Sequence, residues 1–121
     1  DMKLKIEIYR KINRLSSNDE IEEMGNELAD RFGPIPEHVK NLLIECEIRV
    51  AAQASHILSL IRVDGTILLQ VENLQKAETL FKNAKKMLKV VASNELHLTL
   101  PRKRMSSYDT AYFVKNLLIP R

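Results

Sequence analysis

Glu27, Asp30 and Arg31 are the charged side chains whose spacing most plainly points to a joint task. On a helix, residues 27 and 31 lie one turn apart with residue 30 near them, roughly half a turn from the side that carries Met24 and Leu28. Two readings fit. An exposed pair four residues apart stabilises its own helix by only ~0.2–0.5 kcal/mol and is common on wetted surface. Alternatively the group is a charged interface, where charges set register and specificity while nearby apolar groups supply affinity. On residue chemistry alone the wetted-surface reading is the stronger.

Other residues with chemical potential are less pointed. Lys82, Lys85, Lys86 and Lys89 are spaced as one face of a helix, and Arg102, Lys103 and Arg104 run together, so either set could touch nucleic-acid phosphate. No stacking aromatics alternate with them, and a solvated face plus a solubilising loop is the simpler reading. Cys46 falls on an apolar stripe with Val39, Leu42, Leu43 and Val50, which marks it as a small core residue rather than a nucleophile. Glu22 with Glu23, and Glu45 with Glu47, read as solvated helix carboxylates. His38, His56 and His97 are scattered, so no metal site is expected. A phosphate-cradling G-x-x-x-x-G-K-S/T loop, a G-x-G-x-x-G turn and an H-E-x-x-H motif are all missing. No catalytic residue and no cofactor are expected within these residues.

The elements that must position these groups follow from periodicity. Leu4, Ile8, Ile12 and Leu15 predict a helix over residues 3–15, with basic Lys5, Arg10, Lys11 and Arg14 around it. Ser17 three residues before Glu20 is a capping box, and acidic residues follow at the positive helix end. Ile21, Met24, Leu28 and Phe32 form the expected buried stripe. Gly33 suits a left-handed exit, Pro34 keeps Gly33 out of the helical region, and Pro36 fits the first turn of the next helix. Gly33, Pro34 and Pro36 together make a rigid structural hinge. A third helix follows, with Ala51, Ala52 and Ala54 near its end allowing close approach.

Beyond residue 55 the period changes. Residues 57–63 and 66–71 predict strands joined by Asp64-Gly65, a two-residue hairpin signal. Asn73 caps a predicted helix with Leu74, Ala77, Leu80, Phe81, Ala84 and Leu88 inward. Val90–Ala92 and the alternating Leu96, Leu98, Leu100 predict two more strands around Ser93-Asn94. Ser106 three residues before Asp109 opens a last helix, with Ala111, Val114, Leu117 and Leu118 inward and Pro120 at its end. The expectation is an α+β fold (α/β two-layer), a helical hairpin or corner with a small, mostly antiparallel sheet, in the order α-α-α-β-β-α-β-β-α. One domain over 1–121 is expected, helical over 1–55 and mixed over 56–121.

The totals agree. With 121 residues, 45% apolar and 29% charged, the chain has the composition of one folded domain. Its net charge of +3 divides unevenly: residues 1–55 hold 8 basic and 11 acidic side chains, and residues 56–121 hold 11 basic and 5 acidic. A single cysteine excludes an internal disulfide and favours a reducing compartment. No apolar run approaches the roughly 20 residues needed to span a bilayer, and no secretory pattern opens the chain, so a cytoplasmic protein without membrane contact is expected. The abrupt start at Asp1 suggests the trimmed end of a longer chain.

At ELADRFGPIPEHVKNLL, residues 27–43, the sequence resembles the carboxy-terminal domain of the bacterial transcription-repair coupling factor (Mfd/TRCF) family. IEIYRKINRL and the approach to Glu22-Glu23 look alike too. The likeness is strong over roughly residues 3–55 and rests mainly on element order and hydrophobic pattern through 56–121, where the lysine-rich segment departs from it. The resemblance implies a parent that is an ATP-driven double-stranded DNA translocase, using ATP and Mg in its motor. That parent displaces stalled RNA polymerase and recruits the excision-repair ATPase through a repair-helicase-like module. The terminal domain would pack against this module as a non-catalytic regulatory domain, masking its surface until activation. Carried over to this chain, Glu27 and Asp30 would face basic groups on the module, and Arg31 would meet a carboxylate or carbonyl through two donors.

Overall fold

In a computed structural model the chain is described over residues 2–119, so the expected start at Asp1 and stop at Pro120 lie outside the described residues. The elements are α1 (Met2–Asn13), α2 (Asn18–Phe32), α3 (Glu37–Ala54), β1 (Ile57–Val63), β2 (Thr66–Val71), α4 (Leu74–Leu80), a 3-10 segment (Lys82–Met87), β3 (Leu88–Ala92), β4 (Glu95–Thr99) and α5 (Ser107–Leu118). The class is α+β and the order is the one read from the sequence, with the 3-10 segment added before β3. Two compact units are present, one up to Val50 and one from Ala51 onward.

In the first unit, Ile12 of α1, Ile21, Met24 and Leu28 of α2, and Leu43 and Cys46 of α3 form one buried cluster, with Ile8, Leu15, Ile35, Val39, Leu42 and Val50 packed against it. The start of α2 is fixed as its sequence implies: Ser17 Oγ accepts from the Glu20 amide at 3.2 Å. The Glu20 carboxylate in turn accepts from the hydroxyls of Ser16 and Ser17. These hydroxyls, Ser16 first, hold its pKa below the ordinary carboxylate value. Its end is fixed by Gly33, at φ 76° and ψ −144°. The positive φ was expected, but this ψ is extended rather than left-handed helical, a combination essentially reserved to glycine. Pro36 sits just before α3 rather than in its first turn, its carbonyl accepting from Val39 and Lys40.

One position of the expected stripe differs. Phe32 is 46% exposed, whereas Ile21, Met24 and Leu28 are buried. The helix stops at Phe32, and the chain turns away at Gly33 before another layer can cover the ring. Arg49, unremarkable in the sequence, ties α3 to the end of α1: its guanidinium donates to the Asn13 and Leu15 carbonyls at 2.9 and 2.8 Å. Those carbonyls belong to a helix end that lacks onward partners of its own.

The second unit is built on a four-stranded antiparallel sheet in the order β1-β2-β4-β3. Asp64-Gly65 closes the first hairpin between paired Val63 and Thr66, with Asp64 at φ 53°. The register puts Ile67 opposite Leu98 and Leu69 opposite Leu96, and all four are buried. Each edge strand carries an irregularity, at Leu58 in β1 and Val91 in β3, and both side chains are exposed.

The predicted fourth helix is shorter than its periodicity suggests. It ends at Leu80, the 3-10 segment follows with Ala84 at non-helical φ −118° and ψ 22°, and Leu88 begins β3. Phe81, 1% exposed, sits at the break. Leu88 continues the helical spacing but pairs with Leu98 in the sheet, and that pairing overrides it. Ala111, Val114 and Leu118 of α5 are buried and Leu117 is half-buried.

Arg62 of β1 pairs with Ile67 and therefore shares the face of the sheet that carries the buried leucines. Its guanidinium donates to the Met105 carbonyl at 2.8 Å and to Thr110 Oγ1 at 2.6 Å, while Nε donates to the Asp64 carbonyl at 2.9 Å. One side chain thus fastens the hairpin to the entry of α5.

Candidate docking surface at the helix corner

Glu27, Asp30 and Arg31 are all exposed on the last turns of α2, just before Gly33 turns the chain. Arg31 Nη1 stands 3.8 Å from Glu27 Oε1, and both side chains are about half exposed at 52% and 50%. That separation is long for a charge-assisted hydrogen bond and leaves both groups with unused capacity. The Arg31 guanidinium also lies 5.1 Å from the centre of the Phe32 ring, which orients it along the helix end. Pro34 and Pro36 with Gly33 hold the backbone beside this group. The other charged side chains exposed on α2 are all acidic: Asp19, Glu20, Glu22 and Glu23.

Directly behind Phe32 lies a cavity of about 270 Å³ lined by residues of α1, α2, the corner and α3. The sequence did not signal it, because its walls come from separate elements that meet only in the folded unit. Cys46 is buried, its thiol donating to the Ile12 carbonyl at 3.1 Å. Burial raises its pKa, opposed in part by the nearby Arg49. A thiol held neutral and covered is a core group, not a nucleophile.

The other sequence candidates are dispersed. Lys82, Lys85 and Lys86 belong to the 3-10 segment and Lys89 to β3, so the single helical face expected for them does not form. Arg102, Lys103 and Arg104 are exposed on the segment after β4, where Arg102 stands 3.7 Å from Asp109. His56 and His97 contact Glu72 and Glu95 respectively, at 2.8 and 3.0 Å, and His38 borders the apolar cavity. Among the described residues, no three His, Cys, Asp or Glu side chains gather as a metal site would require. No helix among them is long and apolar enough to cross a membrane.

Fold and surface together define an α+β chain whose first unit is a helical corner and whose second carries a four-stranded antiparallel sheet. The TRCF domain family model matches residues 1–81, and the chain belongs to that family. It is similar to the transcription-repair-coupling factor of Staphylococcus aureus, with 36% identity over 121 residues, 92% of this chain and 10% of that protein. The transcription-repair-coupling factor of Borreliella burgdorferi is 31% identical over 71 residues, 59% of this chain and 6% of that protein. The chain thus spans a tenth or less of the length of these relatives. A crystal structure of the C-terminal domain of transcription-repair coupling factor matches with a TM-score of 0.72 and 28% identity, over 98% of this chain and 80% of that one.

Proposed function

We propose that the chain is a non-catalytic regulatory interaction domain of an ATP-dependent DNA translocase acting in transcription-coupled nucleotide excision repair in the cytoplasm. In this reading it packs against the repair-helicase-like module of its parent and covers the surface that the excision-repair ATPase needs. Activation releases it. Engagement of RNA polymerase and double-stranded DNA, and use of ATP and Mg, belong to the rest of the parent. The observation that carries the reading is the exposed group Glu27, Asp30 and Arg31, in which only Arg31 and Glu27 pair and do so loosely, beside a corner that fixes its direction, in a chain of this family. A clamp of this kind must hold the resting state yet yield to a partner, and half-exposed charges suit that balance better than a fully buried network.

The test is binding of this chain to the separately produced repair-helicase-like module of its parent. Charge reversal by Glu27→Lys, Asp30→Lys or Arg31→Glu is expected to weaken binding at least about tenfold, roughly 1.4 kcal/mol, with the melting temperature unchanged. Absence of binding, or equal binding by all three variants, would overturn the reading.

A further inference from the structure

We propose that the apolar cavity behind Phe32 receives one large branched or aromatic side chain from the docked partner, on a segment that also presents basic groups to Glu27 and Asp30. This rests on the docking reading above and names what that surface takes. The apolar walls of the cavity are Leu4 and Ile8 of α1, Leu28 and Phe32 of α2, Ile35 in the corner and Val39 of α3, with Lys5, Pro36 and His38 also at its lining. At about 270 Å³ it falls below the roughly 300–1,000 Å³ typical of small-molecule sites, and its walls offer almost only carbon. Such a space suits a protein side chain better than a cofactor, which would need several fixed polar groups.

Position and charge point to the same occupant. Phe32 forms part of the wall yet is 46% exposed, an aromatic surface that gains by being covered. Arg31 stacks on that ring and pairs loosely with Glu27, so a segment that reaches this pair also reaches the mouth of the cavity. The exposed side of α2 carries Asp19, Glu20, Glu22, Glu23, Glu27 and Asp30 against the single basic Arg31, which selects a basic partner. An apolar knob in a pocket, ringed by charged contacts, is the arrangement that concentrates binding energy at interfaces.

The experiment is methyl NMR of the chain labelled at Ile, Leu and Val, titrated with the parent's repair-helicase-like module, alongside the affinity of Leu4→Asn. Leu4 stands on a different helix from the charged group, so this substitution makes the cavity polar without altering those charges. Binding is expected to shift the methyls of Leu4, Ile8, Ile35 and Val39, and Leu4→Asn is expected to weaken it about tenfold. Binding that depends on Glu27 and Asp30 but leaves those methyls unmoved overturns the cavity proposal and spares the docking reading. Binding indifferent to charge reversal at Glu27 and Asp30, or none, overturns both. If Leu4→Asn does not fold, the methyl shifts of the unaltered chain decide.

Discussion

At the scale of single residues, Gly33 has the most clearly defined task. Its φ of 76° and ψ of −144° lie where a Cβ is disfavoured by the residue's own backbone. A Cβ built there meets nothing within 4 Å, so the cost of a substitution comes from the backbone and not from crowding. Gly33→Ala is expected to destabilise the chain by about 1–3 kcal/mol in urea unfolding, with an unchanged slope. A loss below about 0.5 kcal/mol would mean that the corner relaxes into another conformation. Glycine between Phe32 and Pro34 made the sharp turn legible in the sequence. The exposure of Phe32 was not legible, because it continues the spacing of Met24 and Leu28. Only the place where the chain leaves the helix decides which ring is left uncovered. The charged group beside it was visible as a polar face, whereas its neighbouring cavity was not, since Leu4, Ile8, Ile35 and Val39 become neighbours only on folding.

Elements were readable where local chemistry sets their limits. Ser17, Asn73 and Ser106 each accept from the amide three residues on, as their sequences implied. The hairpin at Asp64-Gly65 likewise pairs Val63 with Thr66. Where tertiary pairing sets the limit, the pattern misled: the spacing from Leu74 to Leu88 is helical throughout, yet the buried Phe81 marks a break and Leu88 enters a strand. Arg62 belongs to the same unforeseen class, since its partners lie 43 and 48 residues away. Because its guanidinium holds Met105 and Thr110 at the start of α5, Arg62→Met is expected to destabilise the chain by about 1.5–3 kcal/mol. Amide hydrogen exchange should accelerate first at residues 105–112. Arg62→Lys should restore little, because an ammonium lacks the second donor, Nε, that bonds the Asp64 carbonyl while Nη1 serves Met105 and Thr110. Unchanged exchange in this segment would show that α5 is held by its apolar side alone.

For the whole molecule the deciding quantity is where the charge lies. Residues 1–55 carry three more acidic than basic side chains, and residues 56–121 carry six more basic than acidic. A nucleic acid would be drawn to the second segment and repelled by the first. The basic groups that could hold it are divided among the 3-10 segment, β3 and the segment after β4. The acidic groups of α2, by contrast, lie along one helix that ends at the corner. The chain is therefore expected to bind short duplex DNA no more tightly than about 10⁻⁴ M at physiological salt, the weak end of non-specific association. Its binding to the repair-helicase-like module should outlast moderate salt, because an apolar contact in the corner cavity is not screened as phosphate contacts are. Fluorescence anisotropy across a salt series compares the two directly. Micromolar DNA binding that falls steeply with salt, and that weakens on neutralising Lys82, Lys85 and Lys86 or Arg102, Lys103 and Arg104, would transfer the function to nucleic acid. Weak DNA binding with persistent module binding would leave the acidic helix and its corner as the working surface.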